Sequence, residues 1–219
     1  MTKYKVNEIF HSIQGEGYWS GRPATFIRLQ GCNLTCNWCD TKYALGAGGE
    51  WMDTREVTRQ IRIGNMAVIT GGEPMLWDLE ELLANLAFLG VYTQIETNGT
   101  LKPLYISEPN WLTVSPKPVC PIASDKVLPA QLAFRQPWEV NEYYYTYANE
   151  FKWVVDGDLS FDCVEAAWRR CRRKRPPVFS LMPEGCPPKP EFVHLALVWL
   201  EKHPAWRYSD RLQWRIGVK

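Results

Sequence analysis

The chain has 219 residues, 46% of them hydrophobic and 22% charged, with a formal net charge of +1. That length and apolar content predict one globular domain over residues 1–219 with a sizeable core of its own. The near-neutral balance gives no electrostatic case for nucleic acid, no apolar run approaches the ~18 residues of a membrane span, and Met1-Thr2-Lys3-Tyr4-Lys5 lacks the apolar core of a signal peptide, so a soluble, cytoplasmic protein is expected.

In chain order, residues 6–10 and 25–29 read as strands. Met66-Ala67-Val68-Ile69-Thr70 is a short apolar run ending in Gly71-Gly72, as a buried parallel strand ends. Leu79, Leu82, Leu83, Leu86 and Ala87 then mark one helix face. Residues 91–96 form the next strand, stopped by Asn98-Gly99, and residues 111–115 another, stopped by Pro116. Residues 142–147, rich in tyrosine, read as a loop or edge packing on a neighbour. Residues 151–155 and 178–181 are two further strands. Between them Phe161, Val164, Trp168 and Cys171 share a helical stripe, and the basic run at residues 169–175 reads as a solvated helix end. Residues 191–202 form the last helix.

Alternation of strands and helices predicts an α/β fold with a mostly parallel sheet. The chain is short for eight βα units, so the expectation is a partial, TIM-like barrel. Ligands in such folds sit outside the carboxyl ends of the strands. Thr70-Gly71-Gly72-Glu73, Glu96-Thr97-Asn98-Gly99 and Ser115-Pro116-Lys117 all fall at those ends.

Seven cysteines are present. Cys32, Cys36 and Cys39 crowd into one short loop, while Cys120, Cys163, Cys171 and Cys186 are scattered. An odd count with one cluster fits a metal site in a reduced compartment better than a disulfide framework. The spacing C-x3-C-x2-C suits three irons of a [4Fe–4S] cluster, whose fourth iron would lack a protein ligand and stay open to an exchangeable one. A structural zinc site is the competing reading. It wants four ligands, usually in two close pairs, and His11, His194 and His203 are not spaced as such a pair.

The three cysteines, preceded by Gly31 and followed by a strand ending in Gly71-Gly72-Glu73-Pro74, resemble the radical S-adenosylmethionine (SAM) superfamily. The resemblance implies that the open iron binds the amino and carboxylate groups of SAM, and that one electron cleaves the C5′–S bond to give a 5′-deoxyadenosyl radical. Within that superfamily the segment from Glu8 to Gly17, together with Arg28-Leu29-Gln30-Gly31-Cys32, Cys39-Asp40-Thr41, Glu96-Thr97-Asn98-Gly99-Thr100 and Ser115-Pro116-Lys117, resembles the 7-carboxy-7-deazaguanine synthase family. The match is collinear over most of the chain.

This resemblance implies a carbon–nitrogen lyase of queuosine and 7-deazapurine biosynthesis. It would convert 6-carboxy-5,6,7,8-tetrahydropterin to 7-carboxy-7-deazaguanine with loss of ammonia. It also implies a [4Fe–4S] cluster, SAM and Mg²⁺ as cofactors, a homodimer, and an electron donor such as flavodoxin or ferredoxin. Carried onto this sequence, Cys32, Cys36 and Cys39 hold the cluster and the Thr41 hydroxyl holds Mg²⁺, although by itself Thr41 reads as a helix cap. Trp38, Cys39, Asp40, Gly72, Glu73, Ser115, Pro116 and Lys117 form the SAM site, with Met182, Pro183, Glu184 and Gly185 as further SAM contacts. Glu73 offers a carboxylate to the SAM ammonium. The substrate falls to Ile13, Gln14, Gly15, Glu16, Arg28, Thr70, Glu96 and Lys219, with Arg28 as a fork for the substrate carboxylate. Without the resemblance Arg28 would read as a surface ion pair. Two positions depart from the family pattern: Met182 stands where a glutamine is common, and Gln213-Trp214 stands where a His-Lys pair is usual. An activating enzyme that installs a glycyl radical on a protein shares the cysteine and Gly-Gly-Glu-Pro motifs, and a non-enzymatic zinc or redox module is the alternative outside enzymes.

Overall fold

The computed structural model describes residues 1–62, 64–105, 107–118, 137–171 and 175–219. Cys120 and residues 172–174 of the basic run lie outside the described residues. Nine strands form one sheet: β1 (Lys3–Ile13), β2 (Pro23–Leu29), β3 (Glu50–Asp53), β4 (Met66–Gly71), β5 (Thr93–Thr97), β6 (Trp111–Val114), β7 (Glu150–Val155), β8 (Val178–Pro183) and β9 (Arg207–Tyr208). Among the described residues six α-helices accompany them: α1 (Thr54–Thr58), α2 (Glu80–Phe88), α3 (Glu142–Tyr147), α4 (Phe161–Arg170), α5 (Pro190–Lys202) and α6 (Leu212–Arg215).

The strand order is β3-β1-β2-β4-β5-β6-β7-β8-β9. From β2 onward every pairing is parallel, whereas β1 runs antiparallel to both β2 and β3. β3 and β9 lie at opposite ends of the strand order, so the sheet is open, the partial barrel expected, and an antiparallel hairpin occupies one side of it.

Period-two alternation sorts the side chains. Ile27, Leu29, Ala67, Ile69, Ile95, Leu112, Val114, Phe151, Trp153, Phe179 and Leu181 join the main apolar core, with Leu82, Leu83 and Leu86 of α2 and Phe161, Val164 and Ala167 of α4. The intervening residues turn to the concave side. Near the amino ends of the strands these are Ala24, Phe26, Met66 and Val68, packed with Phe10, Trp19 and Tyr92. Toward the carboxyl ends they are polar: Arg28, Thr70, Glu96, Thr113 and Lys152. One face therefore holds the fold together and the other is left for chemistry.

The tyrosine-rich segment differs from the expected loop: it is helix α3. The Asn141 side chain accepts from the Tyr143 N–H and starts the helix. Tyr144 and Tyr145 are buried, and the Tyr144 hydroxyl donates to the Leu101 carbonyl at 2.6 Å. A six-residue helix leaves too short a period to stand out in sequence. Residues 191–202 are not the last helix either, because α6 follows. The basic run does close a helix: Arg169 pairs with Glu165, and Arg170 with Glu142, beyond which α4 ends. Among the described residues no helix is long and apolar enough to cross a membrane.

Candidate active site

The carboxyl ends of β2, β4, β5, β6, β7 and β8 enclose a cavity of about 320 Å³. Parallel register sets this up. Arg28 pairs with Thr70, Glu96 with Thr113, and Lys152 with Ser180, so polar residues far apart in sequence share one wall. Apolar Phe10, Leu34 and Leu45 also line the cavity.

Cys32, Cys36 and Cys39 all line this cavity. The Leu34 N–H points to the Cys32 sulfur and the Thr41 N–H to the Cys39 sulfur, each at 3.4 Å. Such backbone donors favour thiolate. Without a metal, burial pushes the Cys32 thiol up to about 12, with Glu73 and Cys39 adding to the effect; a bound metal would displace that proton. Among the described residues no three His, Cys, Asp or Glu side chains form a site for one metal ion, whereas a cluster takes each thiolate on a separate iron. Three thiols on one wall, two of them held by backbone N–H groups, fit a [4Fe–4S] cluster. The loop itself is pinned from behind. Asn33, fully buried, donates to Thr100 Oγ1 at 2.7 Å and accepts from Asn98 Nδ2 at 2.9 Å, while the Thr100 N–H donates to Asn98 Oδ1 at 2.8 Å.

The end of β4 crosses this loop closely. The Glu73 N–H donates to the Gly31 carbonyl at 2.8 Å, and a Cβ on Gly72 would lie 2.2 Å from that same oxygen and 2.8 Å from Cys32 Cβ. Glycine is required there by close approach. Glu73 departs from expectation. Its carboxylate does not face the cavity but is fully buried, accepting from Thr97 Oγ1 at 2.6 Å, the Asn98 N–H at 2.7 Å and the Met75 N–H at 2.9 Å. Burial raises its pKa despite these donors. It splices β4 to β5 and stands behind the site.

The cavity lining also carries charge. Glu16 pairs with Lys152 at 2.5 Å and with Arg211 at 3.6 Å, and accepts from Gln213 Nε2 at 3.3 Å. Burial works to raise the Glu16 pKa, but Lys152 and Arg211 outweigh it and hold the carboxyl below its ordinary range. Lys152 is raised: burial pulls it down, and Glu16 and Glu96 overcome that. Gln14 Nε2 donates to Glu96 Oε1 at 3.0 Å and to Gln94 Oε1 at 3.1 Å. Behind them Glu150 is fully buried, accepting from the Tyr18 N–H at 3.0 Å, Ser180 Oγ at 2.5 Å and Thr113 Oγ1 at 3.2 Å. It anchors the turn that carries Gln14, Gly15 and Glu16.

Arg28 Nε donates to Glu8 Oε1 at 2.9 Å, and its terminal nitrogens carry no protein hydrogen bond among the described residues. Arg28 thus pairs with Glu8 and also lines the cavity. Glu8 also takes Tyr43 Oη at 3.1 Å and the Lys219 ammonium. Thr41 precedes a short 3₁₀ turn, Lys42–Ala44, but does not cap it; its hydroxyl donates to Asp40 Oδ1 at 2.8 Å.

Of the expected SAM residues, Trp38, Cys39, Asp40, Gly72, Ser115, Lys117 and Met182 line the cavity, and Pro116, Pro183, Glu184 and Gly185 do not. Glu184 instead pairs with Lys189 at 2.5 Å. Lys117, lowered by burial, donates to Ser115 O at 2.9 Å and Ser115 Oγ at 2.5 Å, and its ammonium lies 5.2 Å from the Trp38 ring. All the expected substrate residues line it: Ile13, Gln14, Gly15, Glu16, Arg28, Thr70, Glu96 and Lys219. Sequence reasoning missed Lys152 and Arg211. A lone lysine inside the apolar run of β7 was the available signal for the first.

The Radical SAM superfamily model matches residues 26–115, the stretch from β2 through the cysteine loop to the end of β6. Over 100% of this chain and 95% of its own length, the 7-carboxy-7-deazaguanine synthase of Synechocystis is 32% identical. The chain belongs to the 7-carboxy-7-deazaguanine synthase family. The same-named protein of Bacteroides thetaiotaomicron is 48% identical over 52% of this chain, an alignment that spans 60% of that protein's length. The crystal structure of QueE from Escherichia coli superposes with a TM-score of 0.76 at 29% identity, covering 96% of this chain and 94% of that one. Family membership favours the iron–sulfur reading of the three cysteines over a zinc module.

Proposed function

We propose that the protein is a radical SAM lyase that converts 6-carboxy-5,6,7,8-tetrahydropterin to 7-carboxy-7-deazaguanine with release of ammonia. The observation that carries this reading is one cavity whose lining holds three thiols and Lys117 together with Gln14, Glu16, Glu96, Lys152 and Arg28. A cofactor and a small charged heterocycle can thus lie side by side.

When bound, the [4Fe–4S] cluster and SAM supply the one-electron chemistry that starts hydrogen abstraction. The chain's own residues bind and orient. Cys32, Cys36 and Cys39 hold the cluster. Trp38, Asp40, Gly72, Ser115, Lys117 and Met182 bound the SAM side, with Pro116, Pro183, Glu184 and Gly185 shaping it from behind. Glu73 acts at one remove, by fixing Thr97 and Asn98. Arg28 turns its free guanidinium nitrogens to the substrate carboxylate. Gln14, Glu16 and Glu96 accept from the N–H-rich edge of the pterin, while Ile13, Gly15, Thr70 and Lys219 complete its surroundings. Phe10, Leu34 and Leu45 give the cavity an apolar part that limits water. The Thr41 hydroxyl, with a lone pair to spare beside Asp40, suits Mg²⁺, which takes few protein oxygens and completes its shell with substrate or water. A homodimer, reduction by flavodoxin or ferredoxin, and a cytoplasmic setting complete the proposal.

The test is anaerobic turnover of iron-loaded protein with the carboxytetrahydropterin, SAM, a reductant and Mg²⁺. A deazaguanine product is expected. Cluster-loaded protein that cleaves SAM without forming it refutes the proposal, and radical transfer to a protein without pterin would point to an activating enzyme.

A further inference from the structure

Lys152 is 5% exposed and sits in β7 among Phe151, Trp153, Val154 and Val155, all buried. An ammonium there costs several kcal/mol unless it is paired, and an apolar residue of similar size would pack at no such cost. Folding alone gives little reason for a lysine at this point. What the lysine does is hold two carboxylates of the cavity wall: Glu16 Oε2 at 2.5 Å and Glu96 Oε1 at 3.7 Å.

Both carboxylates are held by neighbouring side chains. Glu16 has Lys152 on one oxygen and Gln213 and Arg211 on the other. Glu96 Oε1 takes Gln14 Nε2 at 3.0 Å as well as the lysine. Glu96 Oε2 accepts no hydrogen bond from the described residues, and Glu96 lines the cavity. Two carboxylates beside one cavity repel each other unless a cation lies between them. Lys152 occupies that position.

We propose that Lys152 is a positioning residue that presents Glu16 and Glu96 together as an acceptor edge for a ring bearing adjacent N–H donors. This deepens the pterin reading and rests on it. The lysine contributes through the two glutamates: it fixes their direction and lets both stay anionic, and Glu96 Oε2 is the atom left for the ligand.

The test uses 6-carboxypterin, which has the same N–H-rich edge, as a binding probe on anaerobic, SAM-loaded holoenzyme. Binding and the kcat and KM of turnover are measured for wild type, K152M, K152R, E96Q and E96Q/K152M. K152M is expected to weaken the probe about tenfold and to raise KM far more than it lowers kcat, with K152R recovering most of the loss. If Lys152 acts through Glu96, K152M on the E96Q background weakens binding by no more than about threefold further. Should K152M fail to fold, E16Q/K152M removes the opposing charges together and serves in its place. Probe affinity in K152M equal to wild type, or a full tenfold loss on the E96Q background, overturns the proposal. Wild-type protein that does not bind the probe overturns the pterin reading, and this inference with it.

Discussion

Replacing Glu73 by alanine strands two backbone N–H groups, those of Met75 and Asn98, in a site with no solvent exposure. The third donor, the Thr97 hydroxyl, can turn elsewhere. An orphaned buried donor costs about 1–3 kcal/mol, so two give roughly 2–6 kcal/mol before relief. Relief comes from the carboxylate itself, whose burial outweighs its hydrogen bonds and raises its pKa. A net loss of about 3 kcal/mol follows, set against a total stability of ~5–15 kcal/mol. Glu73→Gln keeps a carbonyl oxygen at the same reach and removes the charge, so it should cost less, about 1 kcal/mol. Urea unfolding of the metal-free protein, followed by far-ultraviolet circular dichroism, measures both. The refuting result is an alanine variant no less stable than the glutamine variant. That would mean that the stranded donors do not govern this position.

Gly72→Ala forces a methyl group against the Gly31 carbonyl and Cys32 Cβ; it should cut bound iron and sulfide to well under half of wild type in the purified protein, whereas Gly21→Ala, whose Cβ meets nothing but whose φ of +90° costs about 1 kcal/mol, should leave iron content unchanged. Glu16 is held below its ordinary value of 4.5, so its contribution is fully present above that value and is lost as pH falls through the depressed folded value. Glu16→Gln should therefore be less stable at neutral pH and show a flatter loss as pH falls below the ordinary carboxyl value of 4.5 in denaturant titrations; parallel pH curves for the two proteins would contradict the ion-pair assignment. Glu150→Ala frees the Tyr18 N–H and the turn behind Gln14 and Glu16, and should raise KM for the pterin about tenfold while SAM cleavage in the absence of pterin stays near wild type. Arg28→Lys keeps the charge but not the fork, and should raise the same KM about tenfold.

Most of the strands were legible because each is short, apolar and followed by a turn residue, as Met66–Gly71 is by Gly72. Short elements were not. The capping box of α1, with Asp53 accepting from Glu56 N–H and Glu56 from Asp53 N–H, was written in Asp53 and Glu56, but a five-residue helix has no period to announce it. Glu73 was legible as part of a strand-end motif and illegible in direction. Its motif says that a carboxylate is needed near the cysteines, and only packing decides that it points inward to Thr97 and Asn98.

The sequence by itself determined the chemistry: three thiols at a fixed spacing, glycines where the backbone must pass close, and the strand-end motifs that mark the family. These are local features, read within a few residues of each other. Tertiary structure decided which charges meet. Glu16 and Lys152 are separated by 136 positions and lie 2.5 Å apart because the turn between β1 and β2, tied to Glu150 of β7 through the Tyr18 N–H, carries Glu16 to the cavity and the period of two turns Lys152 inward. Coulomb attraction depends on distance in space and on burial, and neither is written at a residue's own position in the chain.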